Sequence, residues 1–324
     1  MELFQWILMF LIILLTGASL LYQHSTTFNF FCKMALFYVW ITLVTAILSP
    51  IVAAFYGQRV ENMKILRFTI QPLKHFFGIK IVVQGSKNLN IKEPYVMVAN
   101  HQSHIDLLGM AEIIPDCCVP VVKKEILYLG SVGWACWLCK MIFIDRGKPC
   151  EAMDTLMQVA QTIRHQNMRV WVFPEGTRNQ NKTMLPFKQG SFRLAVEAQI
   201  PNYEWTLQPF FPLSEVWQQE WEGTRPSKDG RGGGEETEHR TEEILQQVQG
   251  KGRNMATVPI IPVVISSYQD TYDFKGKRFT PGIWTIRILP KIETQGLGPE
   301  NIPALIDSTQ QMMQETFWEI SGEA

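Results

Sequence analysis

The segment YVMVANHQSHID (residues 95–106) carries the clearest fold signal in this chain of 324 residues. It opens with an apolar run that turns abruptly polar, the pattern of a strand buried on both faces of a sheet. Helical patterns at residues 106–114, 151–165 and 191–198 lie between runs of this kind. The alternation predicts an α/β fold, with a mostly parallel central sheet flanked by helices. The predicted strands are residues 79–83, 95–99, 117–122, 141–144, 169–173, 259–266 and 283–289.

The first 57 residues contain only two charged side chains, Glu2 and Lys33. They form two apolar runs, each long enough to supply the roughly 20 residues that a bilayer-crossing helix needs. No basic residue precedes the first run, so we expect a retained anchor rather than a cleaved signal peptide. Pro50 should kink the second run, which could span the bilayer or leave by the face it entered. We therefore expect two N-terminal membrane helices, in an anchor of residues 1–58, rather than buried helices of a soluble core.

Basic residues are concentrated directly after the second apolar run. Arg59, Lys64, Arg67, Lys74 and Lys80 are opposed only by Glu61. Such a cluster favours the cytoplasmic side and anionic lipid headgroups, so residues 59–80 are predicted to form a basic linker helix. Residues 81–324 would then form the α/β domain. The whole chain has 30 basic and 30 acidic residues, a balance that argues against a nucleic-acid partner.

The polar residues after the strand at 95–99 include His101 and Asp106. A neutral imidazole can remove a proton near pH 7, and a carboxylate on its other ring nitrogen would fix its tautomer. Residues five apart on one helix lie about 140° apart around the axis and do not meet. The pair therefore requires His101 on the loop before the helix and Asp106 in its first turns. His104 is the alternative histidine, but it is too close to Asp106 along one helix to face it.

A second motif, FPEGTR (residues 173–178), follows the strand at 169–173. Its proline and glycine favour a sharp turn at the strand end, and Arg178 suits a phosphate group. In open α/β sheets, ligands bind beyond the carboxyl ends of the strands, where both motifs fall. Taken alone, the second motif could also be a surface turn with a salt-bridged Glu175 and Arg178.

Four blocks of this sequence resemble those of the glycerolipid acyltransferase family and occur in the family's order. They are NHQSHID (100–106), IFIDR (142–146), FPEGTR (173–178) and VPIIPVV (258–264). The narrower likeness is to 1-acyl-sn-glycerol-3-phosphate acyltransferases of the endoplasmic reticulum, and it covers nearly the whole chain. One departure is Lys140, where the family's second block often has glycine.

The resemblance implies a role for each matching residue. His101 would be the general base and Asp106 its partner, while Arg146 would help to hold the acyl acceptor. The substrate phosphate would be held by Glu175, Gly176 and Arg178, with Thr177 nearby, and Pro262 would shape the acyl-CoA site.

The implied reaction transfers a fatty acyl group from acyl-CoA to the sn-2 hydroxyl of lysophosphatidic acid, giving phosphatidic acid. Acyl-CoA, lysophosphatidic acid and the bilayer are the expected partners, at the endoplasmic reticulum membrane. No cofactor beyond the co-substrate acyl-CoA is expected, and no metal, because the CxxC at residues 136–139 lies in an apolar segment without companion histidines. The alternatives are another acceptor, either glycerol-3-phosphate or a lysophospholipid with a headgroup, or an inactive membrane-bound variant.

Residues 200–257 read as a flexible insertion into the α/β domain. Joining residues 195–199 directly to 258–266 would restore the continuity that is usual in the family. The tail of the segment, residues 223–253, contains seven glycines, six basic and six acidic residues. This composition predicts disorder. The insertion is also the reason for keeping an inactive variant as an alternative.

Overall fold

The computed structural model describes residues 2–198 and 258–322, so the expected insertion at 200–257 lies outside the described residues. The chain begins with two long helices, α1 (Glu2–His24) and α2 (Thr26–Phe55). Both are long and apolar enough to cross a membrane, and α2 continues through Pro50. None of the residues in the most apolar stretch of α1 is buried, whereas 22% of those in the most apolar stretch of α2 are. The two helices indicate a membrane association, and α2 also packs on the rest of the chain.

All seven predicted strands are present within the described ranges. They are β1 (Ile79–Gln84), β2 (Val96–Ala99), β3 (Cys118–Lys123), β4 (Ile142–Ile144), β5 (Arg169–Val172), β6 (Ile260–Ile265) and, after a small hairpin of β7 (Tyr272–Asp273) and β8 (Arg278–Phe279), β9 (Gly282–Ile288). Their order in the sheet is β1-β9-β6-β2-β5-β3-β4. Every neighbouring pair is parallel except β6 and β9. The predicted mostly parallel sheet is therefore confirmed.

Helices cover both faces of the sheet, as the pattern predicted. The helices that follow α2 and the linker are α5 (Asp106–Ile113), α6 (Gly130–Leu138), α7 (Pro149–His165), α8 (Gly190–Glu197) and α9 (Ile302–Ser321). Strand β2 shows the two layers most clearly, because successive side chains of a strand point to opposite faces. Val96 and Val98 pack in the layer of α7, α8 and α9, whereas Met97 and Ala99 pack in the layer of α2 and α5.

The predicted linker contains two short helices rather than one, α3 (Met63–Ile70) and α4 (Leu73–Phe77). Pro72 separates them, because proline lacks the N–H that would continue a helix. Two cations of the linker bind the end of α5. Arg67 donates to Ala111 O and Ile114 O, and Lys74 pairs with Glu112 at 2.6 Å. Positive groups near the last carbonyls of a helix are stabilising. These two cations therefore attach the linker to the α/β body and are not available to lipid headgroups.

Helix α2 is joined to the α/β body along much of its length. Phe30 and Phe37 are buried in the same apolar layer as α5. Lys33, the only charged residue of α2, donates to Phe279 O at 2.6 Å. Further along, Trp40 Nε1 donates to Thr69 O at 2.9 Å. Only part of the surface of α2 is therefore available to lipid.

Lys140 adopts a left-handed backbone conformation, with φ +54°, two residues after Leu138, the last residue of α6. Its N–H donates to Trp137 O at 3.0 Å. Glycine is the usual residue at such a helix end because it adopts positive φ without a steric cost. The lysine that departs from the family's glycine thus occupies a position where glycine is physically preferred.

Candidate active site

His101 and Asp106 meet at the carboxyl edge of the sheet, where β2 ends and α5 begins. Nδ1 of His101 lies 2.8 Å from Oδ2 of Asp106. Asp106 is the first residue of α5, and His101 lies on the loop before it. This is the arrangement that the spacing of five residues requires. The Asp106 side chain is 1% exposed and that of His101 12%, so the imidazole is the more accessible group.

Asp106 is held by several donors besides the imidazole. Oδ2 also accepts the N–H groups of Gln102 at 2.8 Å and Ser103 at 3.1 Å, and Oδ1 accepts the hydroxyl of Tyr268. These donors stabilise the charged carboxylate, as does its place at the start of a helix. A carboxylate fixed in this way keeps the proton of the imidazole on Nδ1. Nε2 of His101 is therefore the basic nitrogen.

Tyr268 is a site residue that the sequence reasoning missed. Its side chain is 2% exposed, and burial, followed by the charge of Asp106, raises its pKa well above the ordinary value. The phenol therefore remains a hydrogen-bond donor to Asp106 throughout the neutral range. The surrounding sequence SSYQD (266–270) gives no sign of this contact.

The imidazole plane of His101 is fixed by Phe173. The two rings are stacked with their centroids 3.9 Å apart and their planes at 11°. Phe173 directly follows β5, the neighbour of β2 in the sheet, and so brings the second motif against the first. Within residues 2–198 and 258–322, Nε2 of His101 has no hydrogen-bond partner. This nitrogen is available to a substrate.

Glu175 is buried and is occupied by donors of the chain itself. Oε1 accepts the backbone N–H of His101 at 2.9 Å. Oε2 accepts the N–H of Leu185 at 2.9 Å and an amide proton of Asn179 at 3.3 Å. Burial raises the pKa of the carboxyl group. Glu175 thus ties the FPEGTR turn to the loop of His101.

Asn100 and Gln102 fasten the His101 loop to the end of β6. The side chain of Asn100 both donates to Ile265 O, at 2.9 Å, and accepts from Ile265 N, at 2.7 Å. Gln102 donates to Ile265 O and Ser266 O, at 3.1 and 2.9 Å. Because their side-chain amides are hydrogen-bonded, Asn100 and Gln102 can be buried on both sides of His101. The same bonds hold the imidazole at the sheet edge.

Cations gather at the turn after β5. Gly176 has φ +68°, and the side chain of Lys188 passes 2.8 Å from the position that a Cβ of Gly176 would occupy. Arg178 is exposed and Arg146 half-buried. Burial, followed by the positive charge of Arg178, lowers the pKa of Arg146, as expected of neighbouring guanidinium groups. None of the three cations forms a salt bridge in the part of the chain that the structure describes. Unpaired cations are suited to a phosphate group.

Lys188 is a second residue that the sequence reasoning missed. Its side chain lies over Gly176, twelve residues earlier in the chain, and its backbone N–H donates to Pro174 O at 2.8 Å. This separation along the chain is why the motif gave no sign of the contact.

The structure places the remaining candidates apart from this cluster or at its rim. Thr177 is exposed at the turn. Pro262 lies within β6, opposite Val98 of β2, and is buried inside the sheet rather than at the edge with His101. The structure therefore does not bring Pro262 into contact with His101.

His104 packs beside the pair and makes contacts of its own. Its Nδ1 is 3.3 Å from Ser103 Oγ, and its Nε2 is 3.4 Å from the hydroxyl of Tyr272. Burial, followed by the positive charge of Arg178, lowers the pKa of His104 to about 4. The ring is therefore neutral near pH 7 and makes no hydrogen bond to Asp106, which is bound to His101 instead.

Comparisons with known proteins show the family to which the chain belongs. A family model described as "Acyltransferase" matches residues 80–207. The chain is 42% identical to 1-acyl-sn-glycerol-3-phosphate acyltransferase alpha of Mus musculus, over 92% of this chain and 85% of the relative. It is 40% identical to the protein of the same name in Homo sapiens, with the same two shares.

A solved structure shares the fold. The crystal structure of the 1-acyl-sn-glycerophosphate (LPA) acyltransferase PlsC from Thermotoga maritima superposes with a TM-score of 0.54 and 16% identity, covering 90% of this chain and 97% of that one. The family model and the relatives thus identify the chain as an acyltransferase. More narrowly, the chain belongs to the 1-acyl-sn-glycerol-3-phosphate acyltransferase family.

Proposed function

We propose that this chain transfers a fatty acyl group from acyl-CoA to the sn-2 hydroxyl of lysophosphatidic acid, giving phosphatidic acid. The observation that carries the proposal is the 2.8 Å contact between His101 and Asp106 at the sheet edge, beside unpaired cations. The relatives named for an acyltransferase of 1-acyl-sn-glycerol-3-phosphate support the choice of acceptor.

In the proposed reaction, Nε2 of His101 takes the proton of the acceptor hydroxyl while the hydroxyl oxygen attacks the thioester carbonyl carbon. The carbon–sulfur bond then breaks, and the leaving sulfur of coenzyme A takes the proton back from the imidazolium. Asp106 stabilises the imidazolium and keeps its orientation. Because a thiolate is a good leaving group, the acyl group passes directly from donor to acceptor in a ternary complex, without an acyl-enzyme.

The phosphate of the acceptor is assigned to the cations around the FPEGTR turn. Arg146 and Arg178 supply charge, while Gly176 and Thr177 form the turn that carries Arg178. The N–H of Gly176 donates to Phe173 O at 3.1 Å, so the contribution of Gly176 is to the shape of the turn. Glu175 contributes by holding His101 in place, since its oxygens already accept donors of the chain. Pro262 lies within β6 opposite Val98, so its contribution would come through the position of that strand.

The bilayer supplies the acceptor and receives the product in this proposal, and the apolar helices α1 and α2 keep the site beside it. The family resemblance supports a location in the endoplasmic reticulum membrane. Fluorescence microscopy of the tagged full chain with an endoplasmic reticulum marker tests this location.

The function is tested with membranes that contain the full chain, radiolabelled oleoyl-CoA and a panel of acceptors. We expect wild-type membranes to acylate lysophosphatidic acid in preference to glycerol-3-phosphate and lysophosphatidylcholine. His101→Ala should reduce turnover by about 10³-fold while the protein still resists carbonate extraction from the membrane. His75→Ala, which changes an exposed histidine on α4, is the matched control. A preference for another acceptor, or near-normal activity of His101→Ala, would refute the proposal.

A further inference from the structure

Tyr38 of helix α2 is stacked on His104, in the loop that carries the general base. The ring centroids are 5.6 Å apart and the planes are at 23°. The neighbouring Phe37 also contacts the His104 ring, with centroids 5.8 Å apart. Phe37 is buried, but Tyr38 is 53% exposed. An aromatic side chain of an apolar helix therefore presents an accessible surface beside His104, which lies three residues after His101 in the chain.

The surroundings of this stack lead from α2 to the cationic turn. The hydroxyl of Tyr272 lies 3.4 Å from Nε2 of His104. Burial raises the pKa of Tyr272 to about 12, and the charge of Arg178 opposes that shift, as it also acts on His104. The rings of Tyr38, His104 and Tyr272 thus form one cluster, and the charge of Arg178 acts on both His104 and Tyr272.

The position of Tyr38 is fixed by contacts on both sides of it in α2. Lys33 donates to Phe279 O at 2.6 Å, and Phe30 contacts the Tyr272 ring with centroids 5.9 Å apart. After Tyr38, Trp40 donates to Thr69 O. Contacts of this kind make α2 a part of the site's framework and hold the Tyr38 ring against His104.

We propose that Tyr38 is a specificity-determining residue that forms the wall of the acceptor site between Arg178 and the bilayer. The inference rests on the proposed function, because it assumes an acceptor with a phosphate at one end and an acyl chain at the other. With the phosphate at Arg178 and the chain in the bilayer beside α2, the glycerol portion passes Tyr38. A tyrosine ring has an apolar face and a polar end, which suits this depth.

The experiment compares Michaelis constants of full-length variants in membranes. Tyr38→Ala should raise the KM for lysophosphatidic acid by about 5- to 10-fold, which is the worth of one aromatic contact. The KM for oleoyl-CoA and kcat should both stay within about twofold. Tyr38→Phe, which keeps the ring, should restore most of the loss in KM. Tyr56→Ala is the matched control, because Tyr56 is 52% exposed directly after α2 and has no ring contact among the described residues.

Two other results would overturn the inference. One is an unchanged KM for lysophosphatidic acid in Tyr38→Ala, and the other is a fall in kcat alone, which would indicate a purely structural role. If the alanine variant does not insert, Tyr38→Leu keeps an apolar side chain on the helix and must show the same separation of KM and kcat effects. Failure of the wild type to acylate lysophosphatidic acid is a separate outcome, which would refute the proposed function itself.

Discussion

The carboxylate of Glu175 accepts the backbone N–H of His101 at 2.9 Å. Its second oxygen accepts the N–H of Leu185 at the same distance. The motif after β5 therefore supports the loop after β2. A substitution in the motif should alter the position of His101 in that loop. The role of Glu175 in this arrangement is to position the base.

Glu175→Gln tests this role. A glutamine has one acceptor oxygen, so its NH₂ group would face a backbone N–H that Glu175 now satisfies. A buried donor left unsatisfied costs roughly 1–3 kcal/mol. We expect kcat to fall by about 10- to 100-fold, with the KM for lysophosphatidic acid within about threefold. Glu112→Gln, on the remote end of α5, is the control. A raised KM at unchanged kcat would instead place Glu175 in contact with the phosphate.

Asp106→Asn and Tyr268→Phe separate the orienting carboxylate from the group that supports it. Asparagine can present its NH₂ group to Nδ1 and so favour the wrong tautomer of His101, which should lower kcat by about 10³- to 10⁴-fold. Tyr268→Phe removes one of several donors to Asp106, so kcat should fall by only about 3- to 10-fold. Steady-state kinetics at saturating substrates measures both.

Tyr95→Phe is the control for Tyr268→Phe. Tyr95 is also buried, but its hydroxyl donates to Leu89 O, outside the site. Its loss should affect stability and leave kcat unchanged. Equal losses of kcat in the two phenylalanine variants would contradict the support of Asp106 by Tyr268.

The sequence predicted the sheet and the His101–Asp106 pair well because both depend on local signals. The strand at β2 is apolar on both faces, and the geometry of an α-helix excludes all but one arrangement of the pair. Tyr268 was missed because it meets Asp106 from 162 residues away along the chain. Tyr38 was missed for another reason: α2 is apolar on all sides, so its pattern does not distinguish the side that faces protein from the side that faces lipid.

Arg178→Ala should raise the KM for lysophosphatidic acid by about 10- to 100-fold, because a charge-assisted hydrogen bond is worth about 1.5–3 kcal/mol. The KM for acyl-CoA should change much less. Lys188→Ala, which removes the cation above Gly176, should give a smaller change in the same direction. Lys87→Ala, at an exposed site in the loop after β1, is the control. An effect of Arg178→Ala confined to acyl-CoA would overturn the assignment of the phosphate.

The low pKa of His104 makes the folded chain sensitive to acid. Burial first, and then Arg178, lower this pKa to about 4 from the ordinary value of 6.5. Between these two pH values His104 binds a proton in the unfolded chain but not in the folded chain. The free energy of unfolding therefore falls as the pH drops from 6.5 to 4, and above pH 6.5 His104 has no effect on it. After allowance for partial exposure, the loss at pH 5 is about 1–2 kcal/mol.

His104→Phe should remove this part of the acid sensitivity. Thermal unfolding in detergent at pH 5 and pH 7.5 should show a smaller difference in Tm for the variant than for the wild type. His75→Phe, in which the replaced imidazole is exposed to solvent in the folded chain, should keep the wild-type difference. An unchanged difference in His104→Phe would mean that other groups account for the acid sensitivity.

Lys140→Gly should stabilise the protein. The lysine has φ +54° after the end of α6, a conformation that costs a residue with a Cβ about 1–2 kcal/mol. Glycine avoids that cost but gives up more entropy on folding, so a net gain of about 0.5–1 kcal/mol is expected. The side chain of Lys140 is exposed, so little packing is lost. Thermal unfolding should show a Tm higher by about 1–4 °C.

Lys92→Gly, at an exposed lysine without positive φ, is the control. It should lower Tm instead, because it has the entropic cost without relief of strain. A Tm of Lys140→Gly at or below that of the wild type would show that the lysine is not strained at this helix end.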